Sequence, residues 1–176
     1  MYEWLLEAEF AMLDFVYGLH NEFLDALMVF VTHLGDGGLI WIAFALLLTL
    51  KKDTRRAGVC MLLALLVNFA VTNLTLKPLV HRVRPFDVKP GADLLIAPPR
   101  DYSFPSGHTA ASFAAATPVY LHSKKAGALM YALAFCIAFS RIYLYVHYPT
   151  DVVCAAVLGT GAGLFASWLT RRVAGC

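Results

Sequence analysis

Three stretches of the chain stay apolar for the length of a membrane-crossing helix: Ala57 to Leu76, Ala126 to Val146 and Val152 to Leu169. Each is close to the roughly 20 residues that a helix needs to cross about 30 Å of hydrocarbon. Three weaker segments extend the pattern. Gly107 to Leu121 is a run of small residues, Gly37 to Leu50 is short and strongly apolar, and Phe23 to Leu34 is shorter still and contains Asp25. Together they predict six transmembrane helices. In Met1 to Leu13, Trp4, Leu5, Leu6 and Phe10 alternate with Glu3, Glu7 and Glu9, the pattern of an amphipathic helix lying at the membrane interface. That stretch lacks the basic opening of a secretory signal, so it is read as part of the structure. The expected fold is all-α, a single membrane-embedded domain over residues 1–176 with an N-terminal interfacial helix.

Composition strengthens this reading. Of the 176 residues 60% are hydrophobic and 15% charged, whereas soluble domains carry about 25% charged residues. The formal net charge of +2 is too small to suggest a nucleic-acid partner. Cys60, Cys136, Cys154 and Cys176 form no CxxC pair, and their placement suggests packing thiols rather than a disulfide framework or a zinc site.

Charge also predicts orientation. Lys51, Lys52, Arg55 and Arg56 follow the second span, Lys124 and Lys125 the fourth, and Arg171 and Arg172 the sixth. In a six-span chain these clusters share one face, which the positive-inside rule marks as cytoplasmic, with both termini there. Lys77, Arg82, Arg84, Lys89, Arg100 and Arg141 fall on the opposite face, an excess that calls for a chemical reason. Most of them lie in the long connection after the third span, which holds six of the eight prolines. Loops of that length are functional or disordered. A second polar patch, SRIYLYVHYPTD, places Ser140 and Arg141 in an otherwise apolar helix, as happens where a membrane protein lines a site.

Three groups of residues in these loops recur at fixed spacing. Lys77 is followed after six residues by Arg84-Pro85; Pro105-Ser106-Gly107-His108 precedes the fourth span; and Ser140-Arg141 is followed after five residues by His147 and after three more by Asp151. They resemble the three signature motifs of the type 2 phosphatidic acid phosphatase superfamily, the lipid phosphate phosphatases, over about residues 57–165. The resemblance implies phosphate binding without metal or other cofactor and a phosphohistidine intermediate. Vanadium-dependent haloperoxidases share the motif set, but the membrane spans disfavour that activity.

The residue types suit this chemistry on their own terms. Phosphoryl transfer spreads negative charge over equatorial oxygens, so fixed donors and cations do most of the catalysis. Arg84 and Arg141 offer bidentate forks and Lys77 a point charge. Ser106 stands at an N-cap position and Gly107 lets backbone approach, so free N–H groups and the helix dipole point at an anion. His147 is the expected nucleophile, with Asp151 holding its second nitrogen. Pro149 disfavours helix at the residue before it, which puts His147 ahead of the last helix and Asp151 in its first turn. His108 is left as the acid for the departing oxygen and the base for water.

Other polar residues receive plainer readings. His20, His33 and His122 are read as structural or interfacial and His81 as an exposed loop residue. No HExxH pair is present, and three neighbouring cations would oppose a dication. GTGAG, Gly159 to Gly163, is read as a helix-packing stripe, and Asn68 and Asn73 as interhelical hydrogen-bond partners. The expected protein is therefore a multi-pass lipid phosphatase of the plasma or inner membrane with its site on the extracytoplasmic face. Its substrate is a lipid phosphate, with undecaprenyl diphosphate ahead of phosphatidylglycerophosphate or phosphatidate and of lipid A phosphate. Its partners are that substrate and the surrounding membrane lipids. The alternative from another class is a non-hydrolytic phospholipid-binding or transport protein.

Overall fold

The structure, a computed structural model, describes residues 3–173. Among these all regular structure is helical, as expected. Helices α1 (Glu3–Tyr17) and α2 (Glu22–Leu34) lead into a short 3-10 turn, Asp36–Gly38, and α3 (Leu39–Leu50). Gly37 and Gly38 take φ of 57° and 69°, a left-handed pair that turns α2 sharply into α3 and that residues with a Cβ rarely adopt. Helix α4 (Arg55–Phe69) continues as a π-helix over Ala70–Leu76 into the single turn α5 (Lys77–Val80). After α6 (Pro85–Val88) and a long loop come α7 (Gly107–His122), α8 (Lys124–Tyr143) and α9 (Pro149–Val173).

Helix α7 is the centre of the bundle, packed against α4, α8 and α9. Ten of its sixteen residues are buried, with Ala110, Ala114, Ala115 and Ala116 fully so. Small side chains let neighbouring backbones come close, the packing mode of membrane helices. On α9, Gly159 and Gly163 face α7, and a Cβ on Gly159 would collide with the Ala110 carbonyl. The intervening Gly161 faces open space. The glycine stripe is thus a helix-packing device, as its sequence suggested.

Four stretches are long and apolar enough to cross a membrane by length and composition: Glu22–Leu50, Arg55–Val88, Lys124–Tyr143 and Pro149–Val173. Their outer faces expose Leu46, Leu47, Leu66, Leu129, Phe135, Val157 and Trp168 among others. The first stretch is interrupted at the Gly37–Gly38 turn. Helices α3, α4 with its π extension, α7, α8 and α9 run between the end carrying Lys77, His108, Arg141 and Asp151 and the end carrying Lys51–Arg56, Lys124 and Arg171. The basic clusters therefore lie together, away from the motif residues.

Helix α2 departs from the six-span expectation. The ring of His20, just before it, meets the Tyr143 carbonyl at 3.0 Å, Asp25 accepts from the Tyr143 hydroxyl, and Thr32 accepts from Arg141. Both ends of α2 thus touch the motif-bearing end, so the helix lies obliquely across the bundle rather than through it. The ends of the described chain lie at opposite ends of the bundle. Glu9 of α1 pairs with Arg82 and Thr150 beside the first turn of α9, while Arg171 and Arg172 close the far end of α9. The expectation of both termini on the cytoplasmic face concerns residues 1–2 and 174–176, which lie outside the described residues. Helix α8 also stops at Tyr143, short of the expected Val146, because Tyr145 turns left-handed at φ 59° and sends the chain back over the bundle.

The contrast within the stripe is testable. Gly159→Ala should lower stability by about 1–3 kcal/mol through overpacking against α7, whereas Gly161→Ala should be within about 0.5 kcal/mol of the parent. Thermal unfolding in detergent would check both.

Candidate active site

Lys77 is the first residue after the π-helix, and its backbone N–H closes that helix by donating to the Thr72 carbonyl. Such wide turns are frequent at functional sites. Lys77, Asn73, Asn68 and Phe69 all line a cavity of about 870 Å³. Its polar end is formed by Lys77, Arg84, Asp101, Gly107, His108, Arg141 and His147, and its apolar flank by Ile42, Leu62, Leu65, Leu66 and Phe69 of α3 and α4.

Arg84 is buried, and every nitrogen has work. Its Nε donates to the Asp101 carbonyl at 2.8 Å, one terminal nitrogen to the Val146 carbonyl at 2.6 Å, and the other to the Asp101 carboxylate at 2.7 Å. Lys77 reaches the second oxygen of the same carboxylate, so Asp101 bridges two of the three cations. Partial burial pushes the Asp101 carboxyl up, but the Lys77 hydrogen bond and the Lys77 and Arg84 charges outweigh it and hold the group at about 2. Arg141, the third cation, is 3% exposed. It donates to the Thr32 hydroxyl at 2.5 Å and leaves its Nε unpaired. A buried charge with donors to spare favours an anion as its partner.

His147 sits in the turn between α8 and α9, fully enclosed. Its Nε2 lies 3.3 Å from a terminal nitrogen of Arg84. A guanidinium only donates, so Nε2 carries a lone pair and the ring proton belongs on Nδ1. That nitrogen faces Asp151 Oδ2 at 3.6 Å, beyond hydrogen-bond distance, and has no other partner. Burial, with the charges of Arg84 and Arg141, holds the imidazole down at about 3, against the opposing pull of Asp151. The ring is a neutral base with its free electron pair among cations. As the proline predicted, α9 begins at Pro149 and Asp151 lies in its first turn. Asp151 is held by the Ser103 hydroxyl, the Tyr148 N–H at 3.0 Å and Arg82 at 2.5 Å.

His108, in the first turn of α7, points its Nε2 at Asp36 at 2.9 Å, and the other oxygen of Asp36 meets His33 Nδ1 at 2.7 Å. A Cβ on Gly35 would stand 2.7 Å from the His108 ring, so the turn before α3 is small where the histidine needs room. Gly107 lines the cavity, and a Cβ there would stand 4.0 Å from Lys77 Nζ. Ser106 holds the N-cap position without a side-chain cap bond. Its hydroxyl accepts from Thr109 at 3.0 Å, and the residue is buried behind the cavity wall. The structure thus gathers Lys77, Arg84, Gly107, His108, Arg141 and His147 around one space, Asp151 behind it, and Ser106 beside it. Sequence reasoning missed Asp101, Asp36, Arg82, Ser103 and Thr32. Only Arg82 had a signal, as one more cation in a proline-rich loop. Among the described residues, no group of three or more His, Cys, Asp or Glu is placed to hold a metal ion.

Three buried cations and a neutral histidine at one end of an apolar-flanked cavity, in a bundle of long apolar helices, form a site suited to an anionic group beside an apolar one. The chain belongs to the PAP2 superfamily, whose sequence model matches residues 57–174. A lipid A 4'-phosphatase of Bacteroides thetaiotaomicron is 34% identical over 99% of this chain and 80% of its own. An undecaprenyl-diphosphatase of Sulfolobus acidocaldarius is 31% identical over 78% of this chain and 66% of its own. The chain thus spans just under two thirds of that relative, and 44% of another curated relative's length. The crystal structure of Aquifex aeolicus LpxE superimposes with a TM-score of 0.80 at 26% identity, covering 89% of this chain and 93% of that one.

The buried, neutral His147 sets a pH dependence. Its folded pKa lies below the unfolded value of about 6.5, so between these the unfolded chain binds more protons and stability falls as pH drops. The melting temperature should decline from about pH 6.5 toward pH 4, by an amount on the order of 1.4 kcal/mol per pH unit from this group. His147→Gln should flatten that decline, which melting curves across the range would register.

Proposed function

We propose that this protein hydrolyses a lipid diphosphate, undecaprenyl diphosphate, at the extracytoplasmic face of the plasma membrane through a phosphohistidine on His147. The observation that carries the reading is the His147 ring itself. Its Nε2 lone pair faces the cation-lined space, and Nδ1 faces the Asp151 carboxylate. In this scheme Lys77, Arg84, Arg141 and the first-turn N–H groups at Gly107 hold the phosphoryl oxygens. The Nε2 pair forms the bond to phosphorus as the bond to the lipid phosphate oxygen breaks, and that oxygen takes a proton from His108 in its imidazolium form, which Asp36 and the incoming substrate anion stabilise. Asp151 stabilises the imidazolium that results. His108, now neutral, takes a proton from water, whose oxygen attacks phosphorus and frees inorganic phosphate and His147. Ser106 supports the α7 entrance from behind rather than through its hydroxyl. The cations replace a metal throughout.

The apolar wall of α3 and α4 supports a substrate whose tail remains in the bilayer. The basic clusters at the opposite end support an outward-facing site, and α1 then lies at the outer headgroup level. A second reading is favoured by the near full-length similarity to a lipid A 4'-phosphatase: the substrate is then a phosphate monoester of lipid A, handled by the same steps.

Phosphate release from a panel of purified lipid phosphates and diphosphates, in detergent with excess EDTA, would separate these substrates. Activity should persist; complete inhibition that zinc or magnesium restores would remove the scheme. His147→Ala should abolish turnover of every substrate. His108→Ala should lose roughly 10²- to 10⁴-fold on lipid substrates, far less in the nitrophenolate burst from an aryl phosphate, and should accumulate phosphoenzyme. Equal losses on both substrates with no trapped phosphoenzyme would make His108 a binding residue.

A further inference from the structure

Arg82 has no place in the signature motifs, yet it stands directly behind the catalytic pair. One terminal nitrogen donates to Asp151 Oδ1 at 2.5 Å and to the Thr150 hydroxyl at 2.7 Å; the other donates to Glu9 of α1 at 2.5 Å. Its guanidinium lies 3.9 Å from the Tyr148 ring centre, a stacked arrangement that favours arginine over lysine. The Arg82 carbonyl accepts from the Ser103 N–H at 2.9 Å, and the Ser103 hydroxyl donates to the other oxygen of Asp151. Arg82 therefore reaches both oxygens of Asp151, one through its side chain and one through its backbone.

Glu9 completes the arrangement. It is 4% exposed, and its second oxygen accepts from the Thr150 N–H at 3.2 Å and from the Thr150 hydroxyl. A carboxylate is buried at such a place only if it is paired. Here the partner is a cation that also serves Asp151, so the docking of α1 and the setting of the carboxylate share one guanidinium.

We propose that Arg82, anchored by Glu9, is a positioning residue that fixes the rotation of the Asp151 carboxylate and so makes α1 part of the catalytic apparatus. The terminal torsion of an aspartate is broad and roughly two-fold, so nothing intrinsic to Asp151 keeps Oδ2 turned to His147 Nδ1. The bond from Arg82 to Oδ1 supplies that constraint together with the Tyr148 N–H and the Ser103 hydroxyl on Oδ2. Arg82 does not line the cavity, so its influence reaches the substrate only through the pair. This inference rests on the proposed pairing of His147 with Asp151.

The test uses the full chain in detergent and radiolabelled undecaprenyl diphosphate, or whichever lipid phosphate of the panel turns over fastest. Arg82→Gln should lower kcat by about 10- to 100-fold, the usual cost of removing an outer hydrogen-bonded partner, with KM unchanged. Arg82→Lys should recover little, since an ammonium cannot serve both carboxylates in the same geometry. Glu9→Gln should shift kcat in the same direction by a smaller factor, and it reads the same coupling if Arg82→Gln fails to fold. In an Asp151→Asn background either change should cost almost nothing further. An undiminished loss in that background, or a raised KM at constant kcat, would overturn the positioning role while leaving the pair intact. Full activity of Asp151→Asn alone would instead remove the His147–Asp151 pair, and the role of Arg82 with it.

Discussion

Lys77, Arg84 and Arg141 repel one another, and each is at most 7% exposed. Desolvating a charge is costly unless it is paired and hydrogen-bonded, so the surrounding structure is largely the set of groups that make this gathering tolerable. Asp101 neutralises one charge while touching two of the cations. Carbonyls of Asp101 and Val146 take further donors of Arg84, and Thr32 takes one from Arg141. These partners come from α2, the long loop and the α8–α9 turn, which accounts for why irregular backbone covers one end of the bundle. The arrangement is still short of an acceptor at Arg141, whose Nε has no partner.

Close packing below the site gives these charges a fixed frame. Helix α7 is clasped by α4, α8 and α9 through alanines and glycines, so its first turn, with Gly107 and His108, cannot drift from Lys77 above α4 or Arg141 on α8. Helices α3 and α4 contribute most of the large aliphatic and aromatic side chains that flank the cavity, with Ile96 of the long loop. The cluster of cations and the apolar wall of the cavity thus come largely from different parts of one bundle.

The helical class, the three strongest spans and the motif residues were legible because they rest on local patterns: hydropathy over about 20 residues, proline placement and fixed spacing. The start of α9 at Pro149 follows from that residue's own geometry. What escaped depends on tertiary contacts. Asp36 and Asp101 look like ordinary turn and loop acids until the fold sets them against His108 and Lys77. The apolar content of Phe23 to Leu34 matches a short span, and only the grip of Asp25 on Tyr143 reveals an oblique helix.

The opposed ends of the described chain have a practical bearing on how the molecule is handled. Helix α9 runs 25 residues, about 37 Å at the usual rise, away from Asp151. A fusion partner or surface attachment after α9 therefore stays remote from the cavity mouth. The same cargo joined ahead of α1 would hang beside Glu9 and Thr150, at the edge of the chemistry. Immobilised through the end of α9, the protein would present the cavity away from the support.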